Sequence, residues 1–370
     1  MGPMRLLGSA RECVVPRRER GFSIVELMVA VTLSLVLLAG VLSVVYSSKV
    51  TYRENERVAR AQESGRAALE LVLRDLRAAG YTGCAQPISG FLQVQNQLAD
   101  SNQLLWNFAT PLQGFEASGA AWVPALDPAL VPAGLLAASP GNDIIAVRTL
   151  PASAQSFTTT GITQPNDPAV TVGIAPGETL APGQPVILSD CANATIFALG
   201  SFAAAGATAT LVPAGPGGSD PTDVSPGFSS MFSAGARVAP VATIVYFIAP
   251  SATRARPDLP PGPSLWRIVG TQPPQEVIPG VEAMHIQYGV DTDGDTFVDE
   301  YDPADVVDAA GNWPNVVSIS VALLLRSAEP NAPETDTRQY TLLGTNVGPF
   351  NDRYERTLFT TTVALRNRTT

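Results

Sequence analysis

The chain has 370 residues, is 45% hydrophobic and only 15% charged, and contains 31 Gly and 32 Pro. It can bury a sizeable core, and that Gly/Pro content excludes an all-helical body in favour of short strands joined by turns. A formal charge of −10 excludes non-specific nucleic-acid binding, which needs a basic surface to meet phosphates.

Residues 1–21 run against the acidic trend. Arg5, Arg11, Arg17, Arg18 and Arg20 face only Glu12 and Glu19 there, so the remainder carries 18 basic against 31 acidic groups. A basic flank ahead of an apolar run predicts a cytoplasmic N-terminus. From Phe22 to Tyr46 the chain reads FSIVELMVAVTLSLVLLAGVLSVVY, with Glu26 as its single charge. About 20 apolar residues cross a bilayer as a helix, so the run is long enough. A cleaved secretory signal fits poorly, because the run exceeds the usual apolar length and no A-x-A-like site follows. An ordinary anchor explains everything but Glu26, since a carboxylate costs about 2.5–3.5 kcal/mol at the centre of a membrane helix.

The stretch Arg20 to Leu27, R-G-F-S-I-V-E-L, resembles the type III prepilin signal of type IV pilins. The resemblance implies that a prepilin peptidase of the inner membrane cuts between Gly21 and Phe22 and that the new amine of Phe22 is then methylated. It also implies an assembly role for Glu26, the fifth residue of the processed chain. Gly21 presents no Cβ to a peptidase cleft. Glu26, one helical turn from the new terminus, can neutralise an amine in surroundings of low dielectric.

No Pro interrupts residues 17–86, and Val58, Ala61, Ala68, Leu69, Val72, Leu73, Leu76 and Ala79 form an apolar stripe at helical spacing. A single helix is predicted from about Phe22 to Ala79, apolar all round at first and amphipathic later. Glu70 and Arg74 are four apart in the favourable order, and Gly80 stands just past the end. Gly40 and Gly65 read as soft points or as simply tolerated.

Beyond Gly80 short apolar runs alternate with turn residues. Strands are predicted at 143–149, 169–174, 184–190, 208–212, 241–249, 264–269, 282–290, 316–326, 338–343 and 357–366. The stretches at about 110–141 and 203–235 read as long low-complexity loops. The run from Ser47 to Cys84 contains R-A-Q-E-S-G-R-A-A-L and R-D-L-R-A-A-G-Y-T-G-C. With Ser189–Cys191, Ile286–Asp295 and Leu358–Arg368, it resembles the PilW family of minor pilins. The resemblance implies an α+β, type IV pilin-like fold. One long N-terminal helix, its hydrophobic half protruding, packs on a β-rich globular domain of antiparallel strands. The expected organisation is a leader at 1–21, an apolar assembly helix at 22–48, its amphipathic half at 49–80 and a β-rich domain at 81–370. The implied function is that of a minor pilin that helps to prime or regulate pilus assembly. Other minor pilins, the major pilin and the prepilin peptidase are the implied partners. The implied location is the inner membrane of a Gram-negative envelope, with the body periplasmic and later at the cell surface. A secretion-system pseudopilin and a tip-located adhesin are the alternatives.

Of three cysteines, Cys13 lies in the leader, leaving Cys84 and Cys191. In an oxidising compartment two cysteines predict one bridge, against two buried thiols, and the family resemblance favours the bridge. Asp291, Asp293, Asp295, Asp299 and Asp302 fall at the first, third, fifth, ninth and twelfth positions of a calcium-loop pattern. Thr296 stands where such a loop places Gly, and Asp293-Gly294 is equally a hairpin turn. No cofactor is required on this reading, and calcium is the candidate ion. His285, the sole histidine, falls in a predicted strand, where a satisfied or exposed structural role is expected. No nucleophile–base pattern points to catalysis, and Trp106, Trp122, Trp266 and Trp313 are expected in the core.

Overall fold

The computed structural model describes residues 21–81, 94–98, 103–119, 121–126, 141–151, 154–214, 228 and 230–365. Cys84 and the first twenty leader residues lie outside them. Helix α1 runs without a break from Ile24 to Arg77, with Glu26 in its first turn and Arg74 and Arg77 in its last. That charge order complements the helix dipole. The turn that follows the helix closes at Gly80, whose φ of 68° suits a residue without a Cβ. The Gly80 amide donates to the Arg148 carbonyl at 2.9 Å.

The chain divides into two compact units, Met1–Val58 and Ala59–Thr370. In the first, large apolar side chains such as Leu33, Val36, Leu37 and Leu42 are exposed. In the second, α1 buries Gly65, Ala68, Val72, Leu73, Asp75 and Leu76.

Beyond the helix the strands are β1 (Val94–Asn96), β2 (Leu112–Ser118), β3 (Ala121–Val123), β4 (Ile144–Thr149), β5 (Phe157–Thr159), β6 (Val170–Gly173) and β7 (Pro185–Ser189). They continue with β8 (Ala194–Ala205), β9 (Thr208–Pro213), β10 (Arg237–Pro240), β11 (Ala242–Pro250), β12 (Pro263–Val269), β13 (Gln275–Pro279), β14 (Val281–Val290) and β15 (Glu300–Asp302). Helix α2 (Ala304–Ala310) then precedes β16 (Val316–Arg326), β17 (Tyr340–Leu342), β18 (Thr345–Val347) and β19 (Arg356–Ala364).

Two sheets carry the helix. One has six strands in the order β13-β12-β11-β4-β2-β3, the other four in the order β15-β14-β16-β19. All their pairings are antiparallel. Ala68, Val72 and Leu76 of α1 share one core with Ile145, Val147, Ile244 and Tyr246 of the first sheet. Met284, Ile286, Ile319 and Val321 of the second complete it. β4 and β16 are buried along almost their whole length, which explains their near-continuous apolar sequences.

Between neighbours β4 and β11 the chain inserts a separate lobe. Strands β8, β7, β10, β5, β6 and β9 pair in that order, and β9 pairs back onto β8. β9 thus closes the sheet onto β8 as a ring, and β1 adds to β8 in parallel outside that closure. Phe157, Val172, Leu188, Phe197, Leu211 and Val238, one from each strand, meet in its core with Phe228 and Phe232.

Each predicted strand coincides with an observed one to within a few residues at its ends. The two long loops need correction. The span 110–141 contains β2 and β3, and the span 203–235 contains the end of β8 and all of β9. β9 is the strand predicted at 208–212, so there the loop is only shorter than expected. Small and turn-forming residues mask β2 and β3, and β2 pairs with the more distant β4.

Candidate assembly site

At the start of the described chain Gly21 and Phe22 precede the helix, and Phe22 is 82% exposed. A Cβ built at Gly21 meets nothing within 4 Å. The helix begins with the Leu27 amide donating to the Ser23 carbonyl, which sets Glu26 in the first turn. The segment thus combines an open Gly-Phe bond, a carboxylate one turn inside and an apolar surface. Among the described residues α1 is the one helix long and apolar enough to cross a membrane.

The second half of α1 is fixed by polar as well as apolar contacts. Asp75, 4% exposed, accepts the Tyr246 hydroxyl at 2.6 Å and lies 3.7 Å from the Arg267 guanidinium. Arg74 donates to the same carboxylate at 3.1 Å, so it turns to its neighbour. Gly65 is a point of close approach: a Cβ there would stand 2.5 Å from the Phe359 ring of β19. Its place in the helix reflects packing, not bending.

The acidic loop after β14 brings Asp291, Asp293 and Asp299 together, with one carboxylate oxygen from each within 4.8 Å of the others. Asp291 accepts the Gly294 and Thr296 amides, and Asp299 accepts the amide and hydroxyl of Thr292. Asp295 accepts the Phe297 amide, while Asp302 pairs in β15 with Tyr288. Neither Asp295 nor Asp302 belongs to the group of three. Thr296, at the position a calcium loop gives to Gly, has φ 72°, a costly conformation for a β-branched residue. Thr296→Gly should therefore stabilise the chain by about 1 kcal/mol, seen as a small upward shift in thermal unfolding.

His285 is in β14, as expected, and is 1% exposed. Its Nδ1 lies 2.7 Å from Asp143 and 3.7 Å from Glu116. Burial and the neighbouring Asp143 push the Glu116 carboxyl up to about 8, against the pull of His285. Burial lowers the His285 pKa, but its bond to Asp143 and the nearby carboxylates outweigh that and raise it. Nothing in the sequence pattern linked these three positions. All four tryptophans join apolar clusters. Cys191 stands in the turn between β7 and β8.

Two families match this arrangement. Residues 16–42 match the Prokaryotic N-terminal methylation motif, and residues 245–367 match Type IV Pilus-assembly protein W. The chain thus joins a prepilin-type signal to a C-terminal region similar to PilW. The PilW match starts within β11 and covers the four-stranded sheet. The closed ring lies before it, and no curated protein matches the chain. A membrane-anchored pilin follows from the signal together with the exposed apolar helix.

Proposed function

We propose that this chain is a PilW-family minor pilin that primes or regulates type IV pilus assembly. A prepilin peptidase cuts between Gly21 and Phe22, and Phe22 is methylated. Before assembly the helix spans the inner membrane of a Gram-negative envelope, N-terminus cytoplasmic and body periplasmic. It then leaves the bilayer to pack with the helices of other minor pilins and the major pilin, and the body reaches the cell surface. Cys84 and Cys191 form one bridge in the periplasm. The observation that carries the reading is the pairing of a methylation motif at 16–42 with a PilW match at 245–367 on a chain whose first unit exposes its apolar side chains.

Glu26 supplies the docking chemistry. Among packed helices its carboxylate meets the terminal amine of a neighbouring subunit, and breaking such a buried pair costs about 3–5 kcal/mol. Glu26→Ala should leave cleavage intact and reduce incorporation by roughly 100-fold or more. Immunoblots of membrane and sheared-pilus fractions read both. Normal incorporation of that variant contradicts the docking role. Unchanged piliation in cells lacking the chain, with loss of protein secretion instead, assigns it to a secretion pseudopilus.

A further inference from the structure

We propose that Glu116, Asp143 and His285 bind one zinc-class divalent cation inside the globular unit. β2 supplies Glu116, Asp143 immediately precedes β4, and His285 lies on β14. One ligand atom from each falls within 4.8 Å of the others. The His285 and Asp143 side chains are only 1–2% exposed and that of Glu116 14%. Two carboxylates this close together in a buried place cannot both ionise cheaply, and a divalent cation that displaces the relieving proton lets both do so.

Two further atoms point to a missing ligand. Glu116 Oε2 and the Tyr288 hydroxyl are both buried without a hydrogen-bond partner, and the Tyr288 side chain is fully buried. The hydroxyl lies where a Cβ on Gly114 would project. Gly114 is two residues before Glu116, so both belong to the same face of β2. Orphaned polar groups of this kind are rare in native interiors, and a cation with its bound water gives both a partner.

The surroundings are organised as a metal site requires. Asp143 accepts the amides of Ala117 and Ile286, which pins its carboxylate. The second ring nitrogen of His285 stands 3.1 Å from the Thr345 hydroxyl, which can fix the tautomer that leaves Nδ1 free to ligate. The separations of 2.7 and 3.7 Å from Nδ1 to the two carboxylates bracket the spacing of about 3.3 Å between ligands around a tetrahedral ion. An imidazole with two carboxylates suits zinc and its first-row neighbours; calcium takes oxygen ligands.

The test uses the full chain in detergent, carrying a histidine-free affinity tag, stripped with chelator and titrated calorimetrically with zinc chloride. One equivalent should bind, and Glu116→Gln should weaken binding by about 10–100-fold or more, while Asp293→Asn in the exposed loop should bind as the parent does. His285 is the only histidine, so an imidazole ligand in the zinc-edge X-ray absorption spectrum of the loaded parent chain reports this site alone. That spectrum decides the matter should Glu116→Gln fail to fold. Absence of stoichiometric binding, binding unchanged in a folded Glu116→Gln, loss of binding in Asp293→Asn, or bound zinc without an imidazole ligand overturns the proposal.

Discussion

Arg356→Ala should destabilise the globular unit severely, by about 3–5 kcal/mol. The Arg356 side chain has no solvent exposure and lies at the start of β19. It holds Glu282 at 2.6 Å, grips both oxygens of Asp352 at 2.7 Å, reaches Asp336 at 3.3 Å and stacks on the Phe350 ring. Alanine removes the one cation that the three carboxylates share, leaving Glu282 to Arg326 and Asp336 to Arg338. Lysine should rescue little, because a point charge cannot fork to two carboxylates and stack at once. For a domain of this size the loss corresponds to a fall of about 10 °C in melting temperature, measured by circular dichroism.

The same network predicts how stability responds to acid. Hydrogen bonds from Arg356 hold Asp352 below the ordinary carboxylate value despite its partial burial. At Asp336 burial acts upward, but bonds from Arg338 and Tyr340 outweigh it and the pKa is lowered. A carboxylate depressed in the folded state contributes stability that is complete above its unfolded value of about 3.9 and is lost as pH falls below it. The parent should therefore lose stability steeply below about pH 4. Arg356→Ala, which loses the bonds that hold Asp352 down, should show a shallower decline there.

Asp75→Ala should be the second large loss, about 2–4 kcal/mol. Asp75 looks like one more charge on a surface helix, yet it is buried beneath the sheet. Alanine strands the Tyr246 hydroxyl and removes the carboxylate beside Arg267. Burial and the adjacent Asp75 carboxylate raise the Tyr246 pKa, so the phenol stays neutral and donates. Tyr246→Phe in the Asp75→Ala background should recover part of the loss, since it removes the stranded hydroxyl. Limited proteolysis reads the consequence for function. A helix no longer seated by Asp75 should be cut between residues 59 and 77 in the variant and protected in the parent.

Much of this architecture was legible from local pattern. The helix follows from an apolar run joined to a stripe at helical spacing without Pro, and its end from Gly80. Central strands such as β11, β14 and β16 stand out because burial forces apolar residues into them. What local pattern cannot carry is partnership between distant residues. β2 looks like loop because Gly114 interrupts it, yet that glycine makes room for Tyr288. The closed ring depends on β9, beyond its hairpin with β8, reaching back to β6, Leu211 beside Val170, which no spacing encodes. Asp75 meets a tyrosine 171 positions away, and His285 an aspartate 142 positions away. The Gly-Phe bond and Glu26 stood out because a short contiguous motif carries them. The acidic loop was half legible: three of its five aspartates converge, and the position suited to glycine does adopt a left-handed conformation.

The most direct test is the intact mass of the chain isolated from its native membrane, in cells with a working prepilin peptidase. A polypeptide that begins at Phe22 and is heavier by one methyl group is the predicted result. A mass that still includes residues 1–21 contradicts the account.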